Sequence, residues 1–274
     1  MRTGKGSLPA SLTLVGAGKM GGALLRGWLE GGLDPADTTV IDPQVGPDLA
    51  ALCKERGITL NPSNPAAADV LVVAIKPQGL EATAPTLASL VGPGTLVVSI
   101  LAGKTLANLA DRFPGTRAFV RTMPNLPASI GRGATGAVAS AAVTPAQRAT
   151  ADALLACSGL VEWLDDEALI DAVTAVSGSG PAYAFLLAEA LAEAGAKAGL
   201  PPEMAARLAR ATVAGAGALL DASTIDAGQL RRDVTSPGGT TAAALEVLMR
   251  EGGVPDLLVE AVGAAQRRAG ELAG

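Results

Sequence analysis

The chain has 274 residues, a net charge of −5 and a hydrophobic fraction of 49%, so it can bury a full core and is expected to form two domains. Its acidic balance, without Lys and Arg clusters among aromatic residues, argues against a nucleic-acid partner. There is no histidine, and the two cysteines, Cys53 and Cys157, lie far apart, so we expect no metal site. The nearly uncharged stretch 86–103 is broken by Gly92-Pro93-Gly94, so no membrane span is expected. Reduced cysteines, and no signal-peptide core in residues 1–10, predict a cytoplasmic protein.

A glycine-rich motif stands between the first predicted strand and the first predicted helix. The strand Ser11–Val15 leads into Gly16-Ala17-Gly18-Lys19-Met20-Gly21, and a helix is predicted from there to about Glu30. In the pattern G-x-G-x-x-G the first glycine allows a tight turn, the second lets a pyrophosphate approach the backbone, and the third lets the helix pack closely on the strand. In this position the motif predicts a dinucleotide-binding site that includes Lys19 and Met20.

The second predicted strand, Thr39–Ile41, ends at Asp42, about 20 residues after the motif. An acidic residue at this point can accept hydrogen bonds from the ribose 2′-OH of NADH and repel the 2′-phosphate of NADPH. Lys54 and Arg56 of the next predicted helix argue against a preference for NADH, because two cations near this point would tolerate the 2′-phosphate of NADPH. The alternative role for Asp42 is to cap a turn with Pro43.

Strand and helix signals continue to alternate, which predicts a doubly wound, parallel, Rossmann-like sheet. The further predicted strands are residues 70–75, 95–100, 118–120, 134–139 and 160–164. Ligands of such sheets bind outside the carboxyl ends of the strands. Lys76, Gly103 and Asn125 follow three of these strands and are therefore candidate lining of a ligand crevice.

Strand signals cease after Asp165-Asp166, and Ala-rich helical periodicity runs almost to Gly274. We therefore predict a dinucleotide-binding Rossmann domain over residues 1–165 and an all-helical domain for substrate binding and dimerisation over residues 166–274. Helices are expected at residues 182–200, 202–220, 226–233, 240–250 and 255–272.

The loop Thr235–Thr241 combines a proline and two glycines with flanking hydroxyl groups and leads directly into a predicted helix. The start of a helix presents free backbone N–H groups and the positive end of the helix dipole. The loop therefore predicts a binding site for a small anion. The alternative is an ordinary capped helix start, with Thr240 or Thr241 as the N-cap.

Several segments together resemble the pyrroline-5-carboxylate reductase family. They are residues 15–21, 74–78, 123–128, 177–183 and 234–241, of which the last two are specific to the family and the others are shared by wider dehydrogenase groups. The resemblance implies a Rossmann domain followed by an all-helical dimerisation domain. It implies hydride transfer from NADPH or NADH to the C=N carbon of L-1-pyrroline-5-carboxylate, giving L-proline in the last step of proline biosynthesis. It also implies a homo-oligomer built from dimers through the C-terminal helices.

The resemblance assigns roles to individual residues. It implies that Ser236, Gly239 and Thr240 bind the substrate carboxylate, and that Thr241 is catalytic and also bonds the ring nitrogen. Besides the glycine-rich motif and Asp42, the implied cofactor contacts are Asn64, Ala74, Lys76, Pro77, Ala102, Gly103 and Asn125. The segment around Asn64 is shorter than usual for the family. Many members favour NADPH, and Asp42 leaves that choice open.

Three other functions compete with this one. A β-hydroxyacid dehydrogenase needs a lysine followed by an asparagine four residues later, but the only lysine of the helical half is Lys197, and four positions later stands Pro201. Another imine reductase of the same architecture and a non-catalytic dinucleotide sensor share the fold, which alone excludes neither. The lack of histidine excludes a histidine general acid or base. Reduction of a cyclic imine does not need one, because the nitrogen can arrive protonated.

Overall fold

The computed structural model of the chain describes residues 7–273. They divide into two compact units, the first running to Gly178 and including Gln266 onward, and the second covering Ser179–Ala265. Residues 166–178 thus lie with the first unit, and the domain boundary after residue 165 stays a prediction. The expectation drawn from residues 1–10 rests largely on residues outside the described range.

The first unit is built on an eight-stranded sheet within residues 7–273. Its strands are β1 (Leu12–Val15), β2 (Thr38–Ile41), β3 (Thr59–Leu60), β4 (Val70–Val73), β5 (Leu96–Ser99), β6 (Phe119–Met123), β7 (Gly133–Ala139) and β8 (Gly159–Trp163). Its helices are α1 (Lys19–Glu30), α2 (Pro47–Arg56), α3 (Leu80–Leu87), α4 (Leu106–Arg112), α5 (Pro145–Ala156) and α6 (Leu169–Val173). The strand order β3-β2-β1-β4-β5-β6-β7-β8 confirms the Rossmann-like fold.

The prediction of a wholly parallel sheet is wrong at β7, which pairs antiparallel with β6. The connection between these strands covers only residues 124–132. A parallel connection needs a crossover of about a dozen residues or more, usually through a helix, so the short link reverses the chain instead. Because β8 pairs parallel with β7, the last two strands run opposite to the first six.

Two apolar cores cover the two faces of the sheet. Leu14 of β1 belongs to the core that contains Leu24 and Trp28 of α1, while the next residue, Val15, belongs to the core formed with α3 and α4. Met20 packs at the margin of the first core, so Met20, Leu24 and Trp28 form the apolar face of α1. Burial on both faces explains why the strands are nearly continuous apolar runs.

The second unit is all-helical, as predicted. It contains α7 (Gly180–Lys197), α8 (Pro202–Ala222), α9 (Ala227–Asp233), α10 (Thr240–Leu248) and the first part of α11 (Val254–Ala273). The helices α7 and α8 form a hairpin that turns at Gly199, where φ is +105°. Gly195 allows their close approach, because a Cβ atom there would lie 3.3 Å from the Cβ of Ala205.

Large apolar side chains of α7 are exposed in the single chain. Phe185, Leu186 and Leu187 are 60%, 62% and 59% exposed, and no residue of α7 is buried. This apolar surface is not a membrane span, because none of the helices described between residues 7 and 273 is both long enough and apolar enough to cross a bilayer.

Candidate functional site

The carboxyl ends of five parallel strands lie at one edge of the sheet. Val15 is level with Ile41 on one side and with Val73 on the other, and Val73 is level with Ser99. The segments that follow these strands are therefore brought to the same edge. They contain most of the predicted cofactor contacts, namely Gly16–Gly21, Asp42, Ala74, Lys76, Pro77, Ala102, Gly103 and Asn125.

The three glycines of the motif have different surroundings, as the pattern predicts. Gly16 has φ +88°, and a Cβ atom there would lie 2.6 Å from the carbonyl oxygen of Ala74. A Cβ atom on Gly21 would collide with the carbonyl oxygen of Gly16, so this glycine allows the helix to pack against the strand. A Cβ atom on Gly18 would meet nothing within 4 Å. The open side of Gly18 is where a ligand can approach the backbone.

The start of α1 has the features of an anion site. Gly18 is the N-cap and supplies no side-chain hydrogen bond, so the N–H groups of Lys19, Met20 and Gly21 have no partner within the helix. With the positive end of the helix dipole, these groups suit a pyrophosphate. A cavity of about 520 Å³ adjoins the loop, and its lining includes Ala17, Gly18, Lys19, Arg26, Gln44 and Asp48.

Asp42 holds the glycine-rich loop to the end of β2. Its Oδ2 accepts a hydrogen bond of 2.7 Å from the N–H of Ala17, and its Oδ1 accepts one of 2.8 Å from the N–H of Gln44. The bond from Gln44 is the turn cap that the sequence offered as the alternative role. Each carboxylate oxygen has two acceptor positions, so these two bonds leave Asp42 able to accept a hydrogen bond from a ribose hydroxyl. The contact of Asp42 with the ribose stays a prediction.

The backbone of Asp42 makes two hydrogen bonds with the side chain of Asn61, a residue that the sequence did not single out. Its N–H donates to Oδ1 of Asn61, and Nδ2 of Asn61 donates to its carbonyl oxygen, both at 2.8 Å. Asn61 has φ +48° and is the one non-glycine residue with positive φ in the described part of the chain. The available signal was an asparagine placed before Pro62, because asparagine tolerates the left-handed region better than most residues.

The side chain of Asn125 is occupied within the first unit. Its Oδ1 accepts from the N–H of Ala134 at 2.9 Å, and its Nδ2 donates to the carbonyl and hydroxyl oxygens of Ser177 at 3.2 Å each. The amide thus joins the end of β6 to β7 and to the π-helical segment Thr174–Gly178. A role for Asn125 in cofactor binding stays a prediction.

The other predicted cofactor contacts differ in exposure. Asn64, Lys76 and Ala102 are exposed, and Ala74 and Pro77 are half-buried. Gly103 is buried with φ +73°. Asn64 lies in the loop between β3 and β4, three residues beyond Asn61.

A buried arginine, also missed by sequence analysis, links β6 to α6. The guanidinium of Arg121 lies 2.8 Å from a carboxylate oxygen of Glu167 and 3.8 Å from one of Asp171. Glu167 also accepts a hydrogen bond of 2.8 Å from the N–H of Leu106, the first residue of α4. This network joins β6 to the start of α4 and to α6.

The loop before α10 has its own anion-binding features in the second unit. The N-cap is Gly239, without a side-chain hydrogen bond, so the alternative in which Thr240 or Thr241 is the N-cap is wrong. The reason is a turn in which the N–H of Gly239 donates to the carbonyl of Ser236 at 3.0 Å and Gly238 has φ +68°, as a type II turn requires. The two threonines then fall at the first two helical positions, where the N–H groups have no partner within the helix.

The hydroxyl groups of this loop fall into two classes. The hydroxyl of Thr235 donates to the carbonyl of Arg231 at 2.6 Å. Those of Ser236, Thr240 and Thr241 make no hydrogen bond with other described residues. The predicted substrate-binding residues therefore offer three hydroxyl groups and the uncapped start of a helix, which together suit a carboxylate.

The glycine-rich site at the edge of a Rossmann-like sheet, together with an all-helical second unit, defines an NAD(P)H-dependent oxidoreductase. Residues 11–103 match a family model described as NADP oxidoreductase coenzyme F420-dependent. Residues 167–272 match one described as pyrroline-5-carboxylate reductase dimerisation.

Similar proteins extend this match to the full length. Pyrroline-5-carboxylate reductase of Pseudomonas aeruginosa is 43% identical, over 96% of each chain. That of Synechocystis is 42% identical, over 95% of this chain and 97% of the relative. The solved structure of a Coxiella burnetii pyrroline-5-carboxylate reductase superposes with a TM-score of 0.88 at 34% identity, covering 96% of this chain and 98% of that one. The chain belongs to the pyrroline-5-carboxylate reductase family.

Proposed function

We propose that this enzyme transfers a hydride from NADPH or NADH to the C=N carbon of L-1-pyrroline-5-carboxylate and releases L-proline. The observation that carries the proposal is the loop before α10, where an uncapped helix start and three unbonded hydroxyl groups can bind the carboxylate of a small substrate. Full-length similarity to the curated reductases supports it.

In this proposal Ser236, Gly239 and Thr240 bind the substrate carboxylate through hydroxyl and N–H groups. Thr241, one residue further into the helix, lies next to the ring nitrogen. Its hydroxyl accepts from the N–H of the iminium or of the product, or donates to a neutral imine. An iminium carbon is already electrophilic, so the loop needs only to orient the ring and stabilise charge, without a nucleophile or a metal.

The first unit binds the dinucleotide in this proposal. The pyrophosphate lies at the start of α1, where Lys19 and Met20 supply free N–H groups and Gly18 leaves space for it. The bound dinucleotide supplies the hydride from its nicotinamide ring. The contacts of Asp42, Asn64 and the segments after β4, β5 and β6 belong to the same proposal.

We infer that two chains associate through the C-terminal helices. The exposed apolar side chains of α7 exceed what a monomer usually leaves in water, and the matching family model is one for dimerisation. We also place the enzyme in the cytoplasm, which suits its two free cysteines, Cys53 and Cys157.

The direct test is a turnover assay with purified protein, L-1-pyrroline-5-carboxylate, and either NADPH or NADH. We expect oxidation of the cofactor, formation of proline, and no reaction with β-hydroxyacids. No cofactor oxidation with this imine would refute the proposed function. Cofactor binding without turnover would favour a dinucleotide sensor, and turnover only with other imines would favour a related imine reductase.

A further inference from the structure

A chain of hydrogen bonds connects Asn61 to the glycine-rich loop. The side chain of Asn61 bonds both backbone groups of Asp42 at 2.8 Å, and the carboxylate of Asp42 accepts the N–H of Ala17 at 2.7 Å. We call these three residues the relay. Asn61 lies 44 positions from Ala17 in the sequence, so the relay depends on the fold and not on a local motif.

After the last backbone pairing between β2 and β3, hydrogen bonds from the side chain of Asn61 continue the contact between the two segments. The two strands pair in parallel up to Val40 and Leu60, and the N–H of Asn61 donates to the carbonyl of Val40 at 2.9 Å. Beyond this point the chain leaves the sheet through Pro62, which has no N–H to donate. The amide of Asn61 then supplies the acceptor and the donor that the backbone of Asp42 would otherwise lack.

The backbone conformation of Asn61 is adapted to this task. Its φ of +48° lies in the left-handed region, which costs free energy for residues other than glycine and is least unfavourable for asparagine and aspartate. Such a conformation persists only where surrounding contacts determine it. Here the contacts are the two hydrogen bonds to Asp42, whose carboxylate accepts the N–H of Ala17 in the glycine-rich loop.

We propose, building on the dinucleotide site of the proposed function, that Asn61 is a positioning residue for the cofactor. It fixes the backbone of Asp42, and Asp42 in turn holds the N–H of Ala17, so that the amides of Gly18 and Lys19 are directed at the pyrophosphate. Asn61 acts through Asp42 and does not contact the imine. Its loss therefore weakens cofactor binding without changing kcat or the KM for the imine.

The first experiment compares Asn61→Gly with wild-type protein. Glycine accepts the positive φ, so this variant removes the side-chain amide without adding backbone strain. We expect the Kd of NADPH and NADH, measured by titration of cofactor fluorescence without imine, to rise about 3- to 10-fold. The kcat and the imine KM at saturating cofactor should stay within about twofold of wild type, because the variant removes no interaction with the imine or its transition state.

Gln147→Ala is the matched control. The Oε1 of Gln147 accepts from the N–H of Thr144 at 3.0 Å, and its Nε2 donates to the carbonyl of Gly94 at 3.2 Å, so it also bonds one backbone donor and one backbone acceptor. Gly94 precedes β5, at the edge of the sheet opposite to the cofactor site. We expect Gln147→Ala to lower Tm without changing the cofactor Kd.

A double-mutant cycle with Asp42→Ala tests whether Asn61 acts through Asp42. We expect Asn61→Gly to have no further effect on the cofactor Kd when Asp42 is already alanine. An unchanged Kd in Asn61→Gly, an equal loss in Gln147→Ala, or an additive loss in the double variant would each overturn the proposal.

If Asn61→Gly does not fold, Asn61→Asp takes its place, because it keeps the acceptor for the N–H of Asp42 and loses the donor to its carbonyl. A folded Asn61→Asp that binds cofactor as wild type does would also overturn the proposal. Wild-type protein that binds NADPH but leaves the imine unreduced would refute the proposed function alone.

Discussion

The two compact units differ in how completely one chain buries them. Every residue of β1 and β4 in the first unit is buried. In the second unit α7 and α10 contain no buried residue, and α8 buries only Ala205 and Ala209. The sheet therefore completes its cores within one chain, whereas the helices require a second surface to cover their apolar faces. Stability of the helical unit should then depend on protein concentration, and stability of the sheet unit should not.

The largest effect is expected for Leu187→Glu on α7, which tests whether a second chain covers the apolar face of the helical unit. If the apolar face of α7 is covered by a partner chain, an unpaired buried carboxylate there should raise the dimer dissociation constant by roughly a hundredfold or more, about 3 kcal/mol. Light scattering coupled to size-exclusion chromatography measures the mass. Glu193→Lys, on the charged face of the same helix, should leave the mass unchanged, and an unchanged mass for Leu187→Glu would contradict the dimer proposed here.

Thr241→Ala tests the function of the helical unit without disturbing its apolar face. We expect kcat/KM for the imine to fall by ~10- to 10³-fold, the range for losing one hydrogen bond of roughly 1.5–4 kcal/mol in the transition state. Thr235→Ala removes a hydroxyl from the same loop, but one that already bonds the carbonyl of Arg231, so it should alter stability and leave kcat/KM near wild type. Wild-type kinetics in Thr241→Ala would remove this residue from the site.

Arg121→Met tests how much a buried ion pair contributes to the stability of the sheet unit. The side chain of Arg121 is 5% exposed, so its replacement leaves the carboxylates of Glu167 and Asp171 without their cation. We expect the free energy of unfolding to fall by about 2–3 kcal/mol, measured by urea titration. Arg112→Met is the control, because its partner Glu81 is 60% exposed and the urea midpoint should barely move. Equal midpoints for the two variants would show that the buried pair adds nothing.

The smallest expected effect concerns Cys53 in the first core. Burial raises the pKa of this thiol above its usual 9.0, and the nearby charge of Arg26 partly opposes the shift. Above pH 9 the unfolded chain therefore loses its thiol proton before the folded chain does, and the free energy of unfolding falls as pH rises. Urea titrations at pH 8, 9 and 10 should show a shallower fall in Cys53→Ala. Parallel pH profiles would contradict the prediction.

The sequence predicts the elements of the sheet because strands buried on both faces are continuous apolar runs, as in β1 and β4. It does not predict β3, since Thr59–Leu60 is too short to show a period. The residues of β7 also do not predict its direction in the sheet, because the polar and apolar pattern of Gly133–Ala139 suits a parallel strand and an antiparallel strand equally. The length of the connecting loop decides it.

In the candidate site, too, the features set by neighbouring residues could be predicted, and those that depend on distant residues could not. The glycine-rich motif and the loop before α10 are local patterns, so their backbone features follow from the order of their residues. The bonds from Asp42 to Ala17 and from Asn61 to Asp42 join residues 25 and 19 positions apart. Residues so distant meet only when β1, β2 and β3 lie side by side, and no motif in the sequence records that contact.

The reversal at β7 also has a use in protein engineering. Because β7 runs against β6, it ends beside the start of β6, where the N–H of Ser140 donates to the carbonyl of Phe119 at 2.8 Å. The turn that follows, with Ala141 and Ala142 exposed, therefore lies at the edge of the sheet opposite to the dinucleotide loop. An epitope tag or a fluorophore-bearing cysteine inserted between these two alanines would label the enzyme without touching its chemistry.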